Sequence, residues 1–93
     1  MNIKRNVIFQ LESRKKAGVP IVENFPIRMR VIYDSQRIEF TTGYRIDAAK
    51  WDADRQRVKN GSTNKLKQSA SQINADLNHF DAVIQNIFKE YEL

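Results

Sequence analysis

A chain of 93 residues, 41% hydrophobic and 29% charged, suits one soluble domain with a modest core and is too short for two. It has no cysteine, which excludes disulfide frameworks and thiolate metal sites and points to an intracellular, reducing location. The net charge of +5 is segregated: in residues 69–93 Lys89 stands against Asp76, Asp81, Glu90 and Glu92, a balance of −3 that leaves +8 for residues 1–68. The basic front is therefore expected to face a polyanion and the acidic tail a different partner. The apolar run after Lys4 and Arg5 stops at Gln10, too short for a signal-peptide core, and no segment is suited to spanning a membrane.

The first periodic run is 6–11, where Val7, Phe9 and Leu11 alternate with Asn6, Ile8 and Gln10 and predict a strand with one apolar face. A loop is expected from Arg14 to about Phe25, marked by Lys15, Lys16, Gly18 and Pro20; it is long for a hairpin connection. Pro26 to Tyr33 again alternates, with Ile27, Met29, Val31 and Tyr33 on one face and Arg28, Arg30 and Ile32 on the other. If Asp34 and Ser35 are the two central residues of a tight turn, Tyr33 pairs with Gln36, Val31 with Ile38 and Met29 with Phe40, so the apolar rows coincide. On the opposite face Ile32 meets Arg37, Arg30 meets Glu39 and Arg28 meets Thr41. That leaves an arginine-bearing ridge whose width suits a nucleic-acid groove.

Past Gly43, the run Asp47-Ala48-Ala49-Lys50-Trp51 predicts a single helical turn capped by Asp47, and 57–59 a short extended piece among turns. Trp51 is read as a core residue between sheet edge and helix rather than a base-stacking platform. From Asn64 onward Leu66, Ala70, Ile73, Leu77, Phe80, Ile84, Ile87 and Tyr91 recur at alternating spacings of four and three, a heptad seam. Ser69 with Gln72 forms the start signal of the regular helix, and Val83 and Phe88 widen the apolar stripe. A helix over 69–93 would be about 37 Å long at ~1.5 Å per residue, against ~23 Å for strands of about seven residues. Its last turns, with Ile87, Phe88 and Tyr91, are thus expected to overhang the sheet and dock a following domain or a second protomer. The expected core sets Val7, Phe9, Met29, Val31, Ile38 and Phe40 against Ile73, Leu77, Phe80 and Ile84 in an α+β fold: a three-stranded antiparallel sheet packed on a long C-terminal helix.

Enzymatic chemistry lacks its parts. His79 is the only histidine, no cysteine accompanies it, and no glycine-rich phosphate loop occurs, so neither catalysis, a metal, a cofactor nor a small-molecule substrate is expected. The candidate residues are those of a DNA interface. Arg28 and Arg37, without an obvious cross-strand partner, suit bidentate contacts to guanine, while Arg30 has Glu39 opposite it as a weak ion-pair partner. Glu39 and Thr41 share the ridge, and Asn6 and Gln10 join it if the first strand lies beside the second, their amides able to read adenine. A second basic group, Arg14, Lys15 and Lys16 with Arg45, Lys50, Arg55, Arg57 and Lys59, lies in flanking segments where phosphates would run.

The stretch TGYRIDAAKWDADRQRV, 42–58, preceded by PIRMRVIYDSQRIEF, 26–40, resembles the N-terminal arm-type DNA-binding domain of Bacteroides-type tyrosine recombinases. The shared features are a proline-led second strand at Pro26, a tight hairpin, the pair Thr42-Gly43, the pair Trp51-Asp52, a basic residue with valine at Arg57-Val58, and a helix with Ile73-Asn74 near its start. Asp34-Ser35 stands where the family often carries Asn-Gly, and the loop 15–25 is expanded. The resemblance implies one domain over 1–93, the N-terminal piece of a longer recombinase. Its sheet would enter the major groove of arm sites beside the recombination core, in the bacterial cytoplasm at the nucleoid. It also implies that the catalytic residues lie in a later domain, so Tyr33, Tyr44 and Tyr91 are not nucleophiles. Two alternatives stand beside it: a protein-interaction module built on the helical seam, and RNA binding by a sheet, against which the lack of paired exposed aromatics counts.

Overall fold

The computed structural model describes residues 5–12, 15–16, 18–20 and 23–91, with backbone alone at 15–16 and 19–20. Strand β1 (Arg5–Leu11) pairs antiparallel with β4 (Phe25–Tyr33), which pairs antiparallel with β5 (Gln36–Ile46). The sheet order β1-β4-β5 places β4 in the centre. Between β1 and β4 a two-stranded ribbon, β2 (Lys15–Lys16) with β3 (Val19–Pro20), replaces part of the expected loop. A second ribbon, β6 (Trp51–Asp52) with β7 (Arg57–Val58), follows a 3-10 turn at Ala48–Lys50, and helix α1 spans Ala70–Glu90. The fold is α+β: a three-stranded antiparallel sheet with one long C-terminal helix.

The β4-β5 hairpin closes with Tyr33 opposite Gln36, and Ile32↔Arg37, Val31↔Ile38, Arg30↔Glu39, Met29↔Phe40 and Arg28↔Thr41 follow without a slip. Asp34 and Ser35 both have positive φ, 48° and 64°, the left-handed pair of a type I′ turn whose twist matches that of the strands. Farther along, β4 has one residue between Pro26 and Arg28 where β5 has three between Thr41 and Arg45, a bulge that also accommodates a proline in a central strand. Gly43 supplies the required φ of +83°, and the Thr42 hydroxyl donates to the Ile27 carbonyl at 2.8 Å and accepts from the Tyr44 N–H at 3.2 Å. The two extra residues preserve side-chain parity, so Tyr44 and Ile46 stay on the face of Ile38 and Phe40.

That face carries the core: Phe9, Ile27, Met29, Val31 and Ile46 with Trp51, Val58, Ala70, Ile73, Leu77 and Phe88. Trp51 is a core residue, as expected. Ile38 and Phe40, expected in the core, are instead 56% and 44% exposed, because one helix cannot cover three strands and α1 leaves β5 open. The helix also corrects the heptad seam. Leu66 lies outside it and is exposed, while Phe88 is buried and Ile87 and Tyr91 are not. A straight helix repeats every 3.6 residues, so a 3.5-residue seam drifts by ~20° per heptad. Eleven residues after Leu77, three full turns, bring Phe88 back to the sheet.

Phe88 stacks on Tyr33 with ring centroids 6.1 Å apart, and the Arg5 guanidinium lies 5.8 Å from the Phe88 ring centroid. The expected overhang is therefore absent at Phe88. The lengths explain it: β4 has nine residues, about 30 Å at ~3.3 Å each, and α1 has 21, about 31 Å at ~1.5 Å each.

Side chains tie the smaller elements to this frame. Ser69 caps α1, its hydroxyl accepting from the Gln72 N–H at 3.1 Å. Asp47, expected to cap the short turn, makes no side-chain cap bond and accepts from the Asn24 N–H at 2.8 Å instead. Asn74 clamps the β6-β7 ribbon, accepting from the Val58 N–H at 2.8 Å and donating to the Val58 carbonyl at 2.9 Å, while neighbouring Ile73 is fully buried. Asn64 is a buried hub: it donates to the Arg45 carbonyl and the Gln68 side chain and accepts from the Leu66 and Gln68 N–H groups. Tyr44 donates its hydroxyl to Asp76 of α1.

Two outcomes follow. Ser35→Gly removes a side chain from a left-handed position and is expected to stabilise the domain by about 1 kcal/mol, raising Tm by roughly 4–8 °C; thermal unfolding reads this directly. The hydrogen bond to Asp76, with burial and the negative charge of Asp76 adding to it, raises the Tyr44 phenol above its ordinary value of 10.0. A raised folded-state pKa means that the contribution is complete below pH 10 and lost as pH climbs through the folded value. Urea midpoints of wild type should therefore fall more steeply above pH 10 than those of Tyr44→Phe, which lacks the phenol.

Candidate nucleic-acid interface

The face of the sheet opposite α1 follows from register alone. Strand β1 contributes Asn6, Ile8 and Gln10, and its pairing with β4 sets Gln10 beside Arg28, Ile8 beside Arg30 and Asn6 beside Ile32. With the β5 partners this becomes a grid of three rows: Gln10–Arg28–Thr41, Ile8–Arg30–Glu39 and Asn6–Ile32–Arg37. Same-face residues recur about every 6.8 Å along a strand and neighbouring strands lie ~4.8 Å apart, so the grid measures about 14 Å by 10 Å. A B-DNA major groove is about 12 Å wide. The expected base-reading residues Asn6, Gln10, Arg28, Arg30, Arg37, Glu39 and Thr41 all stand on this one surface.

Their freedom differs. Arg30, at the centre, donates to Glu39 Oε1 through Nε at 3.0 Å and approaches it through Nη2 at 2.9 Å, and its side chain is only 26% exposed. Arg37 also lies near the same oxygen, at 3.9 Å, a partner along its own strand that the cross-strand pattern does not reveal; its side chain is 62% exposed. Pairs of this kind on an open sheet are worth about 0.2–1 kcal/mol, so either guanidinium can exchange Glu39 for another partner at small cost. Arg28 sits at the lower end of the grid, where the bulge opens a hollow lined by Glu12, Pro26, Thr41, Gly43 and Arg45. Arg45 belongs to this face by parity, opposite Pro26, and reaches the Asn24 carbonyl at 3.3 Å. The sequence reading did not give Ile8 and Ile32 a role. They are the half-buried apolar members of the grid, of the kind that can meet a thymine methyl group; their position follows once β1 is placed beside β4.

The second basic group is divided. Arg14 and the side chains of Lys15 and Lys16 lie outside the described residues. Lys50 donates to the Thr63 carbonyl at 2.8 Å and stands 3.8 Å from Asp47, and Arg55 lies 3.9 Å from Asp52 at the tip of the second ribbon. Arg57 is a packing element: its guanidinium lies 4.8 Å from the Phe9 ring centroid, on the core side of the sheet, and donates to Asn78 and to the Gln56 carbonyl. Arg55, Arg57 and Lys59 line a hollow with Asn74 and Asn78 of α1 rather than with the grid. Of the eight flanking cations, only Arg45 stands on the arginine face among the described residues.

Comparison with known proteins adds one positive finding. No curated protein and no solved structure gives a significant match. A family model described as an arm DNA-binding domain matches residues 12–93, which includes β4, β5, both ribbons and α1. That match covers most of the sequence, so the chain belongs to the arm DNA-binding domain family, a non-catalytic module whose partner is DNA.

Proposed function

We propose that the grid on β1, β4 and β5 enters the major groove of duplex DNA and reads sequence there, serving site-specific recombination or integration of a mobile element as one module of a longer tyrosine recombinase. The observation that carries this reading is the gathering of four arginines, Arg28, Arg30, Arg37 and Arg45, with Asn6 and Gln10 on a surface of groove width that the core does not need. Arg28 and Arg37 are the base readers, each forking to the O6 and N7 of a guanine. Asn6 and Gln10 supply amides for adenine, and Thr41 and Glu39 complete the set. Arg30 holds Glu39 in place and exchanges that contact on binding. Arg14, Lys15, Lys16, Arg45, Lys50, Arg55 and Lys59 run beside phosphates, and Arg57, already held by Phe9 and Asn78, contributes field more than contact.

Affinity for duplex should fall steeply with salt. If about four of the flanking cations touch phosphate, the loss between 50 and 200 mM is roughly a hundredfold. Replacing Lys15 and Lys16 should lower affinity on all sequences alike. A titration by fluorescence anisotropy at several salt concentrations measures both, and affinity indifferent to salt would remove the polyanion reading.

Arg28→Ala and Arg37→Ala should each cost about 1–3 kcal/mol on the specific site while nonspecific binding and folding stay close to wild type. Arg30→Ala should cost less. The check is a comparison of selected with scrambled duplexes. Wild-type discrimination in the Arg28/Arg37 double variant would move recognition off this face.

A further inference from the structure

The two edges of the sheet are treated differently. On β1 the outward N–H of Phe9 donates to Gln56 Oε1 at 2.8 Å, so the β6-β7 ribbon brackets that edge. Strand β5 has its Arg45 carbonyl met by the Asn64 amide at 3.1 Å but no such cover along Gln36–Thr41 among the described residues. Its stretch Gln36–Thr41 is exposed on both faces, with Ile38 and Phe40 uncovered, as are the helix residues Val83 and Ile87. Tyr44–Asp76 and Tyr33–Phe88 fix α1 running alongside β5 from Tyr44 toward Gln36, and Val83 and Ile87 continue the helical stripe of Asp76.

The pattern of the free edge specifies what fits it. In a two-residue hairpin the pair that flanks the turn, Tyr33 and Gln36, exchanges hydrogen bonds, and bonded pairs alternate from there. The backbone groups of Arg37 and Glu39 therefore point outward, away from β4. Two such edges can pair antiparallel about a two-fold axis perpendicular to the sheet. If Ile38 lies on that axis, Arg37 falls opposite Glu39 of the second copy and Glu39 opposite its Arg37, both as outward-bonding pairs. Moving the axis to Arg37 or to Glu39 sets like charges against each other, which disfavours those registers. On the apolar face Ile38 then meets its own copy and Phe40 lies diagonal to it.

We propose that β5 is a self-complementary edge through which two copies of this chain pair antiparallel about Ile38, forming a continuous six-stranded sheet. The chain goes beyond its DNA reading here, and the pairing does not depend on that reading. Since pairing and groove entry draw on the same Arg37 and Glu39, a second copy and DNA compete for β5.

Residues that face each other in a non-hydrogen-bonded antiparallel pair have Cα atoms about 4.5 Å apart, within the range a disulfide spans. The natural chain has no cysteine, so a single one reports cleanly. Under mild oxidation Ile38→Cys should form a covalent dimer. Phe40→Cys, also exposed but about 14 Å from its copy in this register, should not. Sedimentation equilibrium of the natural chain from about 10 μM to 1 mM should show a weak, reversible dimer, as expected of a small interface. Arg37→Glu, which places two like-charge pairs across the axis, should weaken it at least tenfold while circular dichroism shows the fold intact. A monomer throughout that range overturns the proposal, as does cross-linking through Phe40→Cys in place of Ile38→Cys. So does a dimer that survives Arg37→Glu but is dissolved by Tyr91→Lys, which would place self-association on the helix.

Discussion

Everything on the arginine face depends on a turn of two residues. With Asp34 and Ser35 both in the left-handed region, the strands leave the turn with Tyr33 opposite Gln36, and each later pairing is fixed by counting. A loop longer by one residue would invert one strand relative to the other, moving Arg37, Glu39 and Thr41 to the helix side and Ile38 and Phe40 onto the face of Arg28 and Arg30. The turn carries this role without the glycine that such turns favour, so the register must be held elsewhere as well. The alternation of β4 does that: Ile27, Met29 and Val31 are buried on one side, and Arg28 and Arg30 cannot take their place without stranding charge in the core.

The bulge at Thr42-Gly43 adapts that regular hairpin to a single helix that cannot cover all three strands. Up to Thr41 strand β5 is free on both faces; beyond Gly43 it is drawn into the core, Ile46 fully buried and Tyr44 bonded to Asp76. One strand thus has two occupations: its first half presents side chains and its second half anchors the first. Such an arrangement keeps the displayed part rigid without burying it, and rigid display on a strand lowers the entropy lost when the side chains engage a partner.

The strands, the turn register and the start of α1 were legible in the sequence because each is a short-range pattern: period-two alternation, a two-residue turn, a serine followed by glutamine three residues on. Coverage was not legible. Nothing local to Ile38 or Phe40 says that α1 leaves them uncovered, and Val31 and Ile38 look alike although one is buried and the other is not. The far end of α1 was misread for a metric reason, since a heptad seam drifts by ~20° per heptad from a straight helix, whose period puts Phe88 rather than Ile87 on the stripe of Leu77. Asp47 and Asn64 show a third limit. Both are polar residues in turns, where capping is the usual expectation, but their partners, Asn24 and Arg45, are 23 and 19 residues away.

The same distinction between local pattern and distant partner sorts the cations. From sequence, Arg57 and Arg37 differ little: each stands in an extended segment beside a β-branched apolar residue, Val58 or Ile38. In the structure Arg57 is committed to the Phe9 ring and to Asn78, and to move it toward a phosphate would break both contacts and uncover a core phenylalanine. Arg37 has only a 3.9 Å approach to a carboxylate that Arg30 already holds at 2.9 Å. A guanidinium is available for recognition when its present contacts are weaker than those a ligand offers, and here that criterion separates a structural arginine from a recognition arginine of the same formal charge. The net charge of the basic half therefore overstates its interface, because part of that charge is spent holding the ribbon and the helix to the sheet.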